Sequence, residues 1–385
     1  MSPSGFRVGL RPWQLLLALC LVGSASGSPA DLLERPLLRP GDLLILDGDA
    51  GEALPDGERP GVLFVARALR SGGFARPEVL ASDPRWREPT GLAVLDDGTL
   101  LVVESTWAPG PEPARGALFA VQLGESPAVV SLWWTDERLR RPISALRVGP
   151  RMVYVSDRDA DPLGLEQPTG CVFAVPHGVD SSGALGQPGA ATVVAEGRAL
   201  VTPGPLALTP DGTVLLMDAD ANPRGVLFDD GRPGSPGVLY RITPTGFTVE
   251  LEPTSTVSPV GLVLGEAGEL YVIDANEGQR PGVVGDGALF VRHEQGLQLV
   301  VDSIQQGRPR AMVDPCGGDT LADGRLVVAD ANADPLGLGE DGTCKGVYGT
   351  GPGAVLVIDP VAATVETLIA DERFVMPLIV RRVRP

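Results

Sequence analysis

Short apolar runs that end on a carboxylate recur along this chain of 385 residues. Six such runs align, at 43–47, 101–104, 153–157, 214–218, 270–274 and 326–330. Their closing carboxylates are Asp47, Glu104, Asp157, Asp218, Asp274 and Asp330, which lie 53 to 61 residues apart. A nearly constant period of this size indicates a repeat fold rather than a set of ordinary domains.

Each repeat has room for four short strands. A first strand begins at or near a proline, at 89–94, 142–146, 205–208, 259–264 and 309–313. A turn follows, with the sequence Asp-Gly in three repeats, and leads into the run that ends on the carboxylate. The third strand starts at a glycine in every repeat, and a less apolar fourth strand completes the unit. No stretch after the N-terminal segment has the apolar spacing of a long amphipathic helix.

Four-stranded antiparallel units repeated about an axis form a β-propeller, so the pattern predicts an all-β protein with six blades. The repeat begins on a second strand near Leu43 and finishes on a lone first strand at 377–380. We therefore expect the C-terminal strand to join the N-terminal blade, which leaves no long strand edge open. A β-sandwich is the alternative, but it would not need a repeat of this length.

The N-terminus is typical of an export signal. Arg7 and Arg11 precede an apolar run at 13–22, and small residues follow at 23–28. The run is too short to span a bilayer. We expect a signal peptide over 1–27, a short linker over 28–40 and the propeller over 41–385, in a secreted or periplasmic protein without membrane insertion. Leu19, directly before Cys20, is larger than the residue that a lipoprotein signal has there, so we do not expect a lipoprotein.

Charge and cysteine content narrow the function classes. The net charge of −18 repels phosphate backbones, so nucleic acid is not an expected partner. The negative charge is compatible with binding of metal ions, basic ligands or basic partners. It is equally compatible with a role in keeping the protein soluble. Three cysteines after the N-terminal segment are scattered (Cys171, Cys316 and Cys344), and the two histidines, His177 and His293, lack ligand spacing. A Cys- or His-based catalytic centre is therefore not expected.

The repeat has a recognisable sequence. It begins with Pro-x-Gly-Leu and continues with Asp-Gly-x-Leu, a hydrophobic residue, Val and an acid. The sequence is clearest at 89–104, and a copy with Ala-Gly in place of Asp-Gly lies at 267–274. Over residues 40–385 this resembles the NHL and SMP-30/gluconolactonase-like (TolB-like) six-bladed propellers. The resemblance implies the fold, while the activity stays open because these propellers include lactonases, lyases and binding modules.

The resemblance implies a metal site for the lactonases of that group. Their metal ligands are Glu, Asn and Asp, with Asn or Asp just after the first-strand proline. The matching positions in this sequence are Thr90, Ile143, Gly204 or Pro205, Val260, Arg310 and Leu378. None is a carboxylate or an Asn, which counts against a lactonase. Glu88, one residue before Pro89, is the acid closest to such a position.

Alternating side-chain oxygens follow three of the strand-end acids. The three strings are Asp157, Asp159 and Asp161; Asp218, Asp220 and Asn222; and Asp330, Asn332 and Asp334. Oxygens at this spacing suit Ca²⁺, which takes six to eight oxygen ligands, so these nine residues are candidate metal ligands. Asp and Asn at strand exits also set turns by accepting hydrogen bonds from backbone N–H groups. The usual calcium loop has glycine after the third oxygen ligand, whereas Pro162, Pro223 and Pro335 stand there in this chain. The sequence therefore leaves both the calcium and the turn-setting interpretation open.

Two function hypotheses follow. The first is an exported binding module that recognises an unknown ligand or protein partner through an acidic, loop-rich face, with Ca²⁺ as its one candidate cofactor. The alternative is a metal-assisted lactone or ester hydrolase, with Glu88, Asp218 and Asp330 as candidate catalytic acids. No nucleophile–base arrangement accompanies these acids, so we favour the binding module.

Overall fold

A computed structural model describes residues 38–107, 115–124, 128–160, 170–179, 185–221, 237–243, 245–252, 256, 258–275, 287–302, 312–333 and 353–384. The predicted signal peptide, three candidate metal ligands (Asp161, Asn222 and Asp334) and Cys344 lie outside these ranges. Within them, no helix has the length and apolar character needed to cross a membrane.

The described residues form six antiparallel sheets arranged as the blades of a propeller, as predicted. In each blade the strands run in order from the innermost, at the central channel, to the outermost. Blade one contains β25 (Pro377–Arg382), β1 (Leu43–Asp47), β2 (Val62–Ala66) and β3 (Glu78–Ser82). Blade two contains β4 (Pro89–Val94), β5 (Leu100–Glu104), β6 (Ala117–Gln122) and β7 (Val129–Trp134). Blade three contains β8 (Pro142–Arg147), β9 (Met152–Asp157), β10 (Cys171–Val179) and β12 (Thr192–Glu196), with an extra strand β11 (Leu185–Pro188) on β10.

The other three blades have four strands each. Blade four contains β13 (Pro203–Leu208), β14 (Val214–Asp218), β15 (Val238–Thr243) and β16 (Gly246–Leu251). Blade five contains β17 (Pro259–Leu264), β18 (Leu270–Asp274), β19 (Ala288–His293) and β20 (Gly296–Asp302). Blade six contains β21 (Pro315–Thr320), β22 (Leu326–Asp330), β23 (Ala354–Asp359) and β24 (Thr364–Ala370).

The ring closes as the sequence predicts. The C-terminal strand β25 pairs antiparallel with β1, from Leu43 opposite Arg382 to Asp47 opposite Pro377. Both ends of the propeller therefore lie in one sheet, and the inner edge of β1 is covered by a strand.

The second strand of each blade is buried on both faces, which explains its unbroken apolar run. Six hydrophobic clusters fill the six spaces between neighbouring blades. Successive side chains of a strand point to opposite faces. Val102 thus packs in the cluster between blades one and two, and Val103 packs in the cluster between blades two and three.

A glycine meets a proline at every junction between blades. The glycine precedes the third strand, and the proline opens the inner strand of the next blade. The six pairs are Gly61–Pro89, Gly116–Pro142, Gly170–Pro203, Gly237–Pro259, Gly287–Pro315 and Gly353–Pro377. A Cβ atom on any of these glycines would lie 2.0 to 2.6 Å from the proline ring. Contacts this short do not occur, so the junction requires glycine.

Two of the predicted first strands are wrong in their starting points. Blade four begins at Pro203, two residues before the predicted Pro205. Blade six begins at Pro315, not at Pro309. The sequence after Pro315 is Cys-Gly-Gly-Asp, which lacks the apolar residues of the other inner strands. The apolar pattern therefore placed the predicted strand at 309–313, too early in the chain. Met312 and Val313, the described residues of that range, precede β21.

Candidate functional site

The six strand-end carboxylates lie on one face of the propeller, which we call the carboxylate face. It is defined by Asp47, Glu104, Asp157, Asp218, Asp274 and Asp330, where second strands end and inner strands begin. All six side chains are completely buried. Burial of a carboxylate is unfavourable unless hydrogen bonds satisfy it, so the partners of these groups decide what they do.

Asp330 of blade six illustrates the arrangement. The backbone N–H groups of Val313 and Asp314 donate to its two carboxylate oxygens at 2.8 and 3.1 Å, just ahead of β21. The N–H of Asn332 donates to the same carboxylate at 3.0 Å. The N–H of Ala331 in turn donates to the carbonyl of Asp314 at 3.0 Å. The acid thus joins the end of the second strand to the start of the inner strand.

The same joint recurs in the other five blades. Backbone N–H groups just before the inner strand donate from Val375 and Met376 to Asp47, from Glu88 to Glu104, from Arg140 and Arg141 to Asp157, from Val201 and Thr202 to Asp218, and from Ser258 to Asp274. Each carboxylate is bonded to the backbone of its own blade. Among the described residues, no group of three or more His, Cys, Asp or Glu side chains is placed to hold a metal ion.

Burial raises the pKa of these carboxyl groups. It raises the pKa of Asp47, Asp218 and Asp330 to about 6 and that of Glu104 to about 7, although backbone N–H donors act in the opposite direction. A second set of acids has the reverse shift. The guanidinium of Arg373 holds the pKa of Asp371 well below its usual range.

These shifts predict a stability maximum in mildly acidic solution. A group whose pKa is raised by folding stabilises the fold below its unfolded pKa, and this contribution is lost as the pH rises through the folded value. We therefore expect the free energy of unfolding to fall as the pH rises from about 5 to about 8. It also falls below about pH 4, because Asp371 binds a proton there in the unfolded state, whereas Arg373 keeps it ionised in the folded protein.

Urea titrations across this pH range measure the effect. Glu104→Gln should flatten the dependence between about pH 6 and 8, because its amide does not titrate. Glu372→Gln, at an exposed side chain, serves as the control and should leave the curve unchanged. A free energy of unfolding that is constant or rises toward pH 8 would contradict the expectation.

The exposed chemistry of the carboxylate face lies on the residues directly before the inner-strand prolines. Arg141 Nη2 donates to Glu88 Oε1 at 2.9 Å and bridges blades two and three. Thr202 Oγ1 donates to Asp220 at 2.9 Å, and Asn332 Nδ2 donates to Asp314 at 3.0 Å. Sequence reasoning identified Glu88 but missed Asp314, because the predicted start of blade six was misplaced. With the blade aligned at Pro315, Asp314 occupies the position of Glu88.

The structure separates the candidate metal ligands into three groups. Asp157, Asp218 and Asp330 are buried joints whose oxygens accept backbone N–H groups. Asp159, Asp220 and Asn332 are partly or fully exposed on the carboxylate face. Asp161, Asn222 and Asp334 lie outside the described residues. The buried members fit the turn-setting interpretation, and calcium binding by the strings stays a prediction.

The positions that follow the inner-strand prolines also need one correction. They are Thr90, Ile143, Gly204, Val260, Cys316 and Leu378, with Cys316 in place of the predicted Arg310. None of the six is Asn, Asp or Glu. Burial raises the pKa of the Cys316 thiol well above its usual value, and the thiol donates to the carbonyl of Asp314 at 3.4 Å. Burial also raises the pKa of Cys171.

Comparisons with known proteins return structures of the same kind. The chain is similar to PQQ-bound aldose sugar dehydrogenase from Streptomyces coelicolor, with 15% identity, a TM-score of 0.48, and 74% of this chain and 82% of that one covered. It is similar to a virginiamycin B lyase from Staphylococcus aureus, with 11% identity, a TM-score of 0.46, and 87% and 91% covered. A candidate gluconolactonase shows 12% identity, a TM-score of 0.42, and 77% and 91% covered.

The gluconolactonase-like group that the repeat sequence resembles is thus represented among the similar structures. No protein-family profile and no curated protein sequence matches the chain. Likeness at this level of identity and superposition carries no conclusion about activity, which must be argued from the residues of the site.

Proposed function

We propose that the chain is an exported binding module that holds a cationic ligand, or a basic segment of a partner protein, on its carboxylate face. The observation that carries the proposal is the ion pair between Glu88 and Arg141. It bridges two blades beside the start of the inner strands, and its side chains are 35% and 40% exposed. A ligand can therefore reach it without rearrangement of the buried joints.

The sign of the charge favours a cation. The net charge of the chain is −18, and Asp159, Asp220 and Asp314 add acidic groups to the same face. A protein with a large net negative charge attracts ligands of the opposite sign, even though Arg141 lies on the same face. Export is an expectation from the N-terminal sequence and forms part of the same proposal.

Hydrolysis is the alternative, and the buried joints count against it. A catalytic acid must reach the reacting atoms, whereas Asp218 and Asp330 are fully buried and bonded to backbone N–H groups. The remaining candidate, Glu88, is accessible, but no nucleophile–base arrangement accompanies it in the sequence. A panel of lactones and esters, assayed with several divalent metal ions, tests this alternative directly.

A library of fluorescent octapeptides, half of them rich in Lys and Arg, tests the binding function. Fluorescence anisotropy should detect basic peptides that bind, with affinity that decreases as salt is added. Glu88→Gln should weaken such binding about fivefold or more, since a charge-assisted contact is lost. Glu372→Gln removes one exposed acid in the connection between β24 and β25, where it pairs with Arg76, and should have no effect.

Two results would contradict the proposal. One is basic peptides that bind no better than neutral ones. The other is lactone or ester turnover that disappears in the Glu88→Gln variant and survives in Glu372→Gln.

A further inference from the structure

A cavity of about 910 Å³ lies at the end of the central channel opposite to the carboxylate face. The last residues of the inner strands and the β4–β5 turn at 95–99 form its wall. The inner strands begin at their prolines on the carboxylate face and run away from it, so this cavity is separate from the proposed peptide site. Its volume is that of a site for a small organic molecule.

About half of the wall is aliphatic. The inner strands contribute the partly exposed Val94, Leu146, Leu208 and Leu264, and further leucines stand at the mouth. Apolar walls of this kind contact the body of a ligand, while a few polar groups fix its orientation.

Four arginines also line the cavity, and three of them have a carboxylate partner. Arg147 is paired with Asp96, Arg382 with Glu266 and Arg384 with Asp319. Arg381 differs from these three. Its Nη1 donates to the carbonyl oxygens of Gly318 and Val380, and no carboxylate of the described residues lies within ion-pair distance of it.

The position of Arg381 in its strand is aliphatic in most other blades. The register of the inner strands places Ala93, Leu146, Ala207, Val263 and Asp319 at the equivalent positions. Asp319 is not free to form an ion pair with Arg381. Its carboxylate already accepts hydrogen bonds from the backbone N–H of Arg382 and from the side chain of Arg384.

Arg381 is therefore a partly buried cation that has no carboxylate of the described residues in ion-pair contact, and Asp319 acts on it only from a longer distance. Burial lowers the pKa of its guanidinium, which reflects the unfavourable loss of water around the charge. An anion that entered the cavity would restore the lost electrostatic stabilisation, and a carboxylate matches the planar fork of a guanidinium.

We propose that this cavity binds a small organic carboxylate with an apolar body. The carboxylate pairs with the Nε and Nη2 groups of Arg381, which have no acceptor among the described residues, and the apolar body lies against the leucines of the inner strands. This site is independent of the carboxylate face and of the function proposed for it.

Isothermal titration calorimetry with acids and their uncharged amides tests the site. Octanoate, benzoate and indole-3-acetate are each compared with octanamide, benzamide and indole-3-acetamide. We expect at least one acid to bind with one-to-one stoichiometry and about tenfold or more tighter than its amide, since one charge-assisted pair contributes that much.

Two variants locate the contact. Arg381→Met should lower the affinity for that acid about tenfold and leave the amide unchanged. Arg147→Gln removes another arginine of the cavity, whose carboxylate partner is Asp96 rather than Asp319, and should change the affinity less than about twofold. Circular dichroism melting checks that both variants fold.

The proposal is overturned if no acid binds more tightly than its amide, a comparison that needs only the unaltered protein. It is also overturned if a folded Arg381→Met variant keeps the full affinity for the acid, or if Arg147→Gln loses as much affinity as Arg381→Met.

Discussion

Gly170→Ala should destabilise the protein by about 3 kcal/mol, or prevent it from folding. The new Cβ would lie 2.0 Å from Cδ and 2.2 Å from Cγ of Pro203, and 3.1 Å from the carbonyl oxygen of Asp157. A proline ring cannot rotate away as a flexible side chain can, so blades three and four would have to separate. Overpacking of this kind costs about 1 to 3 kcal/mol, and more where backbone must move.

Gly178→Ala is the matched control, because it lies near the other end of β10. The nearest atom to its Cβ would be the carbonyl oxygen of Gln187 at 3.9 Å, an ordinary contact. We expect its free energy of unfolding, measured by urea titration, to stay within about 0.5 kcal/mol of the unaltered protein. Equal losses for the two variants would show that the junction does not need a glycine at position 170.

Asp157→Ala should lower the free energy of unfolding by about 3 kcal/mol. Four backbone N–H groups donate to this carboxylate, from Arg140, Arg141, Asp159 and Ala160. Each N–H that loses its acceptor inside the protein costs about 1 kcal/mol or more. The total is reduced by relief of the unfavourable burial that raises the pKa of Asp157.

Asp159→Ala removes a carboxylate only two residues further on, whose side chain is 42% exposed. Its only ion pair among the described residues is a 3.7 Å contact with Arg158, and an exposed pair contributes little to stability. We expect a change of about 0.5 kcal/mol or less in the same urea titration.

The fold could be predicted from the sequence because each second strand is packed between two neighbouring blades. Val102 and Val103 both need apolar surroundings, so the run is unbroken and ends on the acid that joins it to the inner strand. Blade six was misplaced because Gly317 and Gly318 interrupt the apolar pattern of β21. Gly287, which contacts Pro315, marks the start of β21 without that apolar pattern.

A second repeated feature was missed because charged residues suggest a solvated surface. Asp83, Asp136 and Asp371 each lie six residues before an inner-strand proline and bind an arginine two residues on. These arginines, Arg85, Arg138 and Arg373, lie 4.7 to 5.3 Å from the rings of Phe119, Phe173 and Phe64 in the next blade. The constant spacing from the proline was the signal that could have revealed them.

The candidate site was less predictable for a chemical reason. A turn joint and a calcium loop use the same residue types at the same strand exits, so the spacing of Asp157, Asp159 and Asp161 suits both. Burial and hydrogen-bond partners distinguish them, and neither can be read from the sequence. The lack of an ion pair at Arg381 within the described ranges could not be predicted either, because it depends on which carboxylates the neighbouring arginines have already bound.

Urea unfolding of the unaltered protein, Asp157→Ala and Asp159→Ala, in EDTA and in millimolar calcium, decides most directly whether the repeated acids are joints of the fold. If they are, Asp157→Ala alone is destabilised, by the same amount in both solutions, and calcium changes no midpoint. If instead calcium stabilises the unaltered protein and both variants lose that stabilisation, the acids are metal ligands and the backbone joints are not their main role.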